Sequence, residues 1–247
     1  MIKTILIDDE PLARSMVLEY LQQHPEFQVL AECNDGFEGV KAIQQHQPDL
    51  IFLDIQMPKL TGFEMLELLD SHPHIIFTTA FDEYALKAFE KNAIDYLLKP
   101  IRPDRFEKAI DKFKSAFQSN TQPKLDTEKL QESLAEEESL ERIVVKTGSQ
   151  IKIIPVQQIN YLEAYDDYVK IHTNDGMYLK NKTMSSFEKQ LDNKQFVRVH
   201  RSFIVRVELL QKIEPMEKDS YIATLSSGGK VNISKSGYAR LKQVIGL

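Results

Sequence analysis

The chain has 247 residues, 42% of them hydrophobic and 28% charged, with a formal net charge of −6. That composition belongs to a soluble globular protein, and the length allows two domains of ordinary size. No apolar run approaches the ~18–20 residues of a membrane span. The opening run Met1–Ile7 meets acids at Asp8 and reads as a strand, not a signal peptide. The single cysteine, Cys33, excludes an internal disulfide and a multi-cysteine zinc site. A cytoplasmic location, away from any membrane, is the expectation. The charge is divided unevenly. Residues 1–122 carry 12 Lys/Arg against 20 Asp/Glu, and residues 142–247 carry 17 against 10. A basic C-terminal part on an acidic remainder suggests that the C-terminal part meets a polyanion.

Residues 3–7 are apolar and β-rich. A helical pattern follows, with Ala13, Met16, Val17, Tyr20 and Leu21 on one face and Pro11 in its first turn. Phe27–Ala31 reads as a second strand. Asp35 is placed to cap a helix facing inward through Phe37, Val40 and Ile43. The continuous apolar run Leu50–Leu53 suits a strand buried on both faces. A helix through Phe63, Leu66 and Leu69, a strand Ile75–Thr79, a helix Glu83–Lys91 and a strand Tyr96–Leu98 follow. A fifth helix from Pro103 presents Phe106, Ile110, Phe113 and Phe117. Strands alternating with helices imply a doubly wound α/β fold with a five-stranded parallel sheet, whose ligands sit beyond the carboxyl ends of the strands.

Those ends carry Asp8-Asp9, Asp54, Thr78-Thr79 and Lys99-Pro100. Acids converging on one edge repel one another, and a divalent cation with a preference for oxygen, Mg²⁺, relieves that repulsion. A carboxylate beside such a cation can accept a phosphoryl group, with a lysine and a hydroxyl on the remaining oxygens. Singly, each piece has an ordinary reading as a solvated turn, a helix cap, a β-former or a loop. Together, each falls at the right end of the right strand.

The segments Leu6–Pro11, Leu53–Pro58, Thr79-Ala80 and Tyr96–Pro100 resemble the bacterial receiver domain of flavodoxin-like fold over about residues 1–120. The resemblance implies Asp54 as the phosphoacceptor, and Asp9, Asp54 and the Gln56 backbone carbonyl on Mg²⁺, with Asp8 reaching the metal through water. It also implies Lys99 and Thr79 on the phosphoryl group, a cis Lys99–Pro100 peptide, and Thr79 with Tyr96 as the switch pair. The donor would be a sensor histidine kinase. Homodimerisation is expected through the face built from the helix at Glu83–Lys91, the strand at Tyr96 and the helix at Pro103, which carries Lys87, Lys91, Asp95, Asp104 and Arg105.

Residues 121–139 are expected to be a linker, polar at first and then a short helix over 128–138. From residue 140 to 247 the period falls to two. Extended runs surround Gly148-Ser149, then come Ile159–Ala164 and Tyr168–Thr173, with a hairpin at Asn174-Asp175-Gly176. Thr183–Leu191 fits one short helix. Phe196–His200, Leu210–Glu214, Tyr221–Leu225 and Lys230–Ile233 are strand-like. Gly228-Gly229-Lys230 lies between two strands and reads as a turn, not a phosphate loop. Ser234 is placed to cap a last helix facing inward through Tyr238, Leu241 and the pair Val244-Ile245.

In Phe196–Val205 the cations Arg198 and Arg201 and His200 interleave with apolar residues, as a strand or loop touching phosphates and guanine edges would require. The alternative is a strand with a solvated basic side. This segment, together with Glu163–Val169 and Val231–Lys235, resembles the LytTR DNA-binding domain of LytR/AgrA-type regulators. The resemblance implies a predominantly β domain whose loops enter successive major grooves of double-stranded DNA at promoter repeats. Lys170 or its neighbours, Arg201 and Lys235 would be the readers. His200 is open to two readings, a base contact or an orienting residue for the loop, the second being favoured. A phosphorylation-controlled transcription regulator is the leading reading, and the chain is not expected to be an enzyme. A haloacid-dehalogenase-type phosphohydrolase is disfavoured, because that family places its nucleophile after the first strand. A β domain that binds protein is disfavoured by its basic charge.

Overall fold

The computed structural model describes residues 1–80, 93–119, 140–148, 150–216 and 220–246. The chain falls into two compact units that divide between residues 134 and 135, inside the segment predicted to be a linker. That segment, the predicted helix Glu83–Lys91 and the residues Lys87 and Lys91 lie outside the described residues.

The first unit alternates β1 (Ile2–Ile7), α1 (Pro11–Leu21), β2 (Phe27–Cys33), α2 (Gly36–His46), β3 (Leu50–Asp54), α3 (Gly62–Leu66), β4 (His74–Thr79), β5 (Asp95–Leu98) and α4 (Pro103–Gln118). The strands are parallel, in the order β2-β1-β3-β4-β5. Every residue of β3 and β4 is buried, as a central strand covered on both faces requires. On one face, Phe106 of α4 stacks on Phe52 and meets Tyr20, while Phe113 meets Phe27. Each fully buried aromatic of this kind contributes roughly 1.5–3 kcal/mol.

Local chemistry sets the helix ends. Asp35 accepts from the Phe37 and Glu38 amides, and Pro11 and Pro103 occupy first turns where no amide is needed. Thr61 and Glu64 close a reciprocal capping box on α3. This helix is shorter than the spacing predicts. It stops at Leu66, and the Leu68 and Leu69 amides bond three residues back, so Leu69 is buried from a turn. In α4, Phe106, Ile110 and Phe113 are buried while Phe117 is 39% exposed.

The second unit begins with the hairpin β6 (Arg142–Thr147) and β7 (Gln150–Pro155). Strands β8 (Ile159–Tyr165), β9 (Tyr168–Thr173), β10 (Gly176–Lys180), β11 (Phe196–His200) and β12 (Phe203–Arg206) form a sheet in the order β10-β9-β8-β12-β11. Strands β13 (Leu210–Met216), β14 (Ser220–Leu225) and β15 (Lys230–Ile233) form another. Helix α5 (Met184–Gln190), capped by Thr183, packs into one core with Ile159, Leu162 and Ile171. Helix α6 (Lys235–Ile245), capped by Ser234, packs through Leu241 into a second core with Val199, Val205 and Val231. Val244 faces solvent, and Ile245 packs with Tyr238 against that core. The two cores line opposite faces of the five-stranded sheet, because side chains alternate along β8 and β12.

Candidate functional site

The carboxyl ends of β1, β3 and β5 bring Asp8, Asp54 and Lys99 together. The Lys99 ammonium donates to Asp54 Oδ2 at 2.8 Å and to an Asp8 carboxylate oxygen at 3.0 Å, and it lies 3.6 Å from Glu10. Asp8 and Asp54 are each 4% exposed. Burial pushes the Asp54 carboxyl up from its ordinary value, against the pull of Lys99. Burial also pulls at Lys99, but its bonds to Asp54 and Asp8 outweigh it and hold the ammonium above its usual value. Asp8, Asp9 and Asp54 can each offer one oxygen within 4.8 Å of the others. Such a set of hard oxygen donors fits Mg²⁺.

Further contacts fix the pocket. The Gln56 amide donates to Asp54 Oδ1 at 3.1 Å, and the Glu10 amide to Asp8 Oδ1 at 3.0 Å. Thr79 is fully buried, its carbonyl accepting from the Lys99 amide at 2.8 Å. The Lys99–Pro100 peptide is cis. Tyr96 is half-buried beside the Arg105 guanidinium, which bonds both the Tyr96 carbonyl and Asp95. Thus Asp95 and Arg105, two of the mixed charges on the predicted dimer face, pair within the chain.

Thr78 was read only as a strand-end residue with no role of its own, and Arg14 escaped the sequence reading. Thr78 donates its hydroxyl to Asp8 Oδ2 at 3.3 Å. Arg14, a turn into α1, donates to the Asp8 carbonyl at 2.5 Å and pairs with Glu32 at 3.3 Å. Alternation along β4 could have marked Thr78. Nothing local marks Arg14.

In the second unit three predicted segments meet at one end of the five-stranded sheet. The Ala164 amide donates to the Ser202 carbonyl at 2.9 Å, joining the end of β8 to the β11–β12 turn. The Ser234 amide donates to the Val199 carbonyl at 2.9 Å, joining the start of α6 to β11 just ahead of that turn. Arg201 is exposed at the turn, and Lys235 is exposed as the first residue of α6. Lys170 is half-buried, its ammonium 3.8 Å from the Tyr165 ring centre and 3.8 Å from Glu163. His200 Nδ1 accepts from the Ser202 amide at 3.2 Å, an orienting bond across the turn. Burial, then the neighbouring Arg201, holds His200 below its ordinary value. Arg198 is engaged by Glu188 at 2.7 Å.

A family model described as the response regulator receiver domain matches residues 4–111, and one described as the LytTr DNA-binding domain matches residues 149–246. Fold and pocket together with these matches define the class, a two-component response regulator with a DNA-binding output domain. The transcriptional regulatory protein BtsR of Escherichia coli K12 is 34% identical over 250 residues, all of both chains. The sensory transduction protein LytT of Bacillus cereus is 30% identical over 99% of each chain. Among solved structures, the response regulatory domain of protein mrkE from Klebsiella pneumoniae is 32% identical, covering 47% of this chain and 98% of that one, with a TM-score of 0.43. The chain belongs to the LytTR-type response regulators. Among the described residues no helix is long and apolar enough to cross a membrane.

Proposed function

We propose that a sensor histidine kinase phosphorylates Asp54, and that this promotes dimerisation and binding of the second domain to repeated promoter sites. The observation that carries the reading is the pairing of Lys99 with both Asp54 and Asp8 at the edge of the parallel sheet. Asp54 is the nucleophile. Its carboxylate attacks phosphorus and the bond to the donor's histidine breaks, leaving an acyl phosphate. Asp9 and Asp54, with the Gln56 carbonyl and Asp8 through water, would hold Mg²⁺. When bound, the cation offsets charge on the transferring phosphoryl oxygens. Lys99 offsets part of the pocket's negative charge before transfer and binds a phosphoryl oxygen after it. Thr79 binds another oxygen, and Tyr96 turns into the space that Thr79 leaves. The domain boundaries near residues 120 and 140 and a cytoplasmic location belong to the same reading.

In the second domain, Arg201 and Lys235 are the primary DNA contacts, exposed at neighbouring points of one sheet end. Lys170 contributes charge from β9, close to the β8–β9 turn, and His200 orients the Arg201 turn. Two such domains held by a receiver dimer would gain affinity through bivalency, without new contacts.

The test is selection of binding sites from random duplex DNA with the full-length chain, with and without a small phosphodonor and Mg²⁺, and with Asp54→Ala as control. A repeated motif enriched more strongly with phosphodonor, in the wild type alone, is expected. A motif indifferent to phosphodonor would remove phosphorylation as the control. No motif from a folded, phosphorylated protein would favour a protein-binding domain.

A further inference from the structure

Glu188 lies on α5, outside the segments assigned to DNA, yet its carboxylate is tied to them. Its Oε2 accepts from Arg198 Nη1 at 2.7 Å, and its Oε1 accepts from Arg240 Nη1 at 3.0 Å. Arg198 also donates from Nη1 to Ser185 Oγ at 3.1 Å and from Nη2 to the Arg201 carbonyl at 3.0 Å. One acid therefore joins α5, β11 and α6 and, through the planar Arg198 fork, the backbone of the exposed turn. The Arg198 side chain is 19% exposed, and both of its terminal nitrogens donate within the fold. Arg201 is exposed, and among the described residues no hydrogen bond or ion pair engages its guanidinium.

We propose that Glu188 is a positioning residue for DNA recognition: it holds Arg198, and Arg198 holds the Arg201 carbonyl, fixing the direction in which the Arg201 side chain leaves the turn. The inference rests on the DNA-binding reading of this domain. Its physical basis is the rigidity of the guanidinium. Charge-assisted bonds from a fixed fork give geometry as well as energy. A bidentate base contact needs a reader held to within about half an ångström by its supporting residues. An acid beside a polyanion-binding surface opposes association by its charge. Charge and geometry therefore predict opposite signs when Glu188 is neutralised.

Full-length wild type, Glu188→Gln and Arg198→Lys would be titrated against two duplexes of equal length: one enriched by the wild type from a random pool, and its scrambled counterpart. Melting curves would check the fold of each variant. Glu188→Gln is expected to bind the enriched duplex about tenfold more weakly, in the range of one lost bidentate contact, and to bind the scrambled duplex as well as or better than the wild type. Arg198→Lys, which keeps the charge and loses the fork, should show the same fall in specificity ratio, and it decides the matter if Glu188→Gln does not fold. Unchanged or tighter binding of the enriched duplex by folded variants overturns the proposal, leaving Glu188 as a charge offset. Equal weakening on both duplexes also overturns it. A wild type that enriches no duplex overturns the DNA reading itself, and the proposal with it.

Discussion

Lys99 Nζ stands 2.8 Å from Asp54 Oδ2, with Asp8 on its other side at 3.0 Å. One half-buried cation thus compensates two buried carboxylates. Lys99→Met leaves both acids without their cation and should cost ~3–5 kcal/mol, as removal of one member of a buried pair does. Asp54→Asn removes one of the two carboxylates bonded to Lys99 and should leave stability equal or raised. Urea denaturation without divalent cations measures both, and added Mg²⁺ should restore part of the Lys99→Met loss by binding the folded state. Asp54→Asn should also take up no phosphoryl group from a small phosphodonor.

Two glycines hold backbone against backbone. A Cβ on Gly62 would stand 2.3 Å from the Asp54 carbonyl oxygen, and one on Gly237 would stand 1.7 Å from the Val199 carbonyl oxygen. Gly62→Ala should shift the loop after β3, slow phosphorylation of Asp54 and cost about 1–3 kcal/mol as overpacking does. Gly237→Ala should push α6 away from β11 and weaken DNA binding while leaving phosphorylation intact. A phosphodonor assay and a DNA titration on each variant separate the two.

His200 is held below its ordinary value and accepts from the Ser202 amide through Nδ1. The unfolded chain binds its proton at higher pH than the folded one. The stability it confers is therefore complete above the ordinary histidine range and is lost as pH falls through the lower folded value. His200→Asn, whose side-chain oxygen can accept the same bond without titrating, should flatten that part of the pH profile. Thermal unfolding of the two proteins across mildly acidic to neutral pH reads the difference.

Arg201→Ala should cost roughly 1–3 kcal/mol on the selected DNA and relax preference at the base it reads. Lys235→Ala should weaken binding to all sequences more evenly and reduce the salt dependence. Phosphorylation should be unchanged in both. Equal loss of phosphorylation and DNA binding in Arg201→Ala would point to misfolding.

By itself the sequence determined the local elements and the chemistry at their ends. The apolar run Leu50–Leu53 identified a strand covered on both faces, and Asp35, Thr183 and Ser234 stand where the helices begin, because a cap is decided within three residues. Asp8, Asp54, Thr79 and Lys99 were legible as strand-end residues, and Asn174-Asp175-Gly176 as a hairpin, joining β9 to β10. The length of α3 was not legible, since apolar spacing is satisfied equally by a turn that buries Leu69.

The tertiary structure alone decided which distant groups meet. Lys99 reaches across 91 residues to Asp8, and Arg198 turns from solvent to Glu188 and the Arg201 carbonyl. A period of two announces strands but not their neighbours, so the order β10-β9-β8-β12-β11 and the separate β13–β15 sheet could not be read from it. Pairing depends on non-local register, and the partner of a charged side chain depends on which elements that register brings within about 3 Å, the reach of a hydrogen bond.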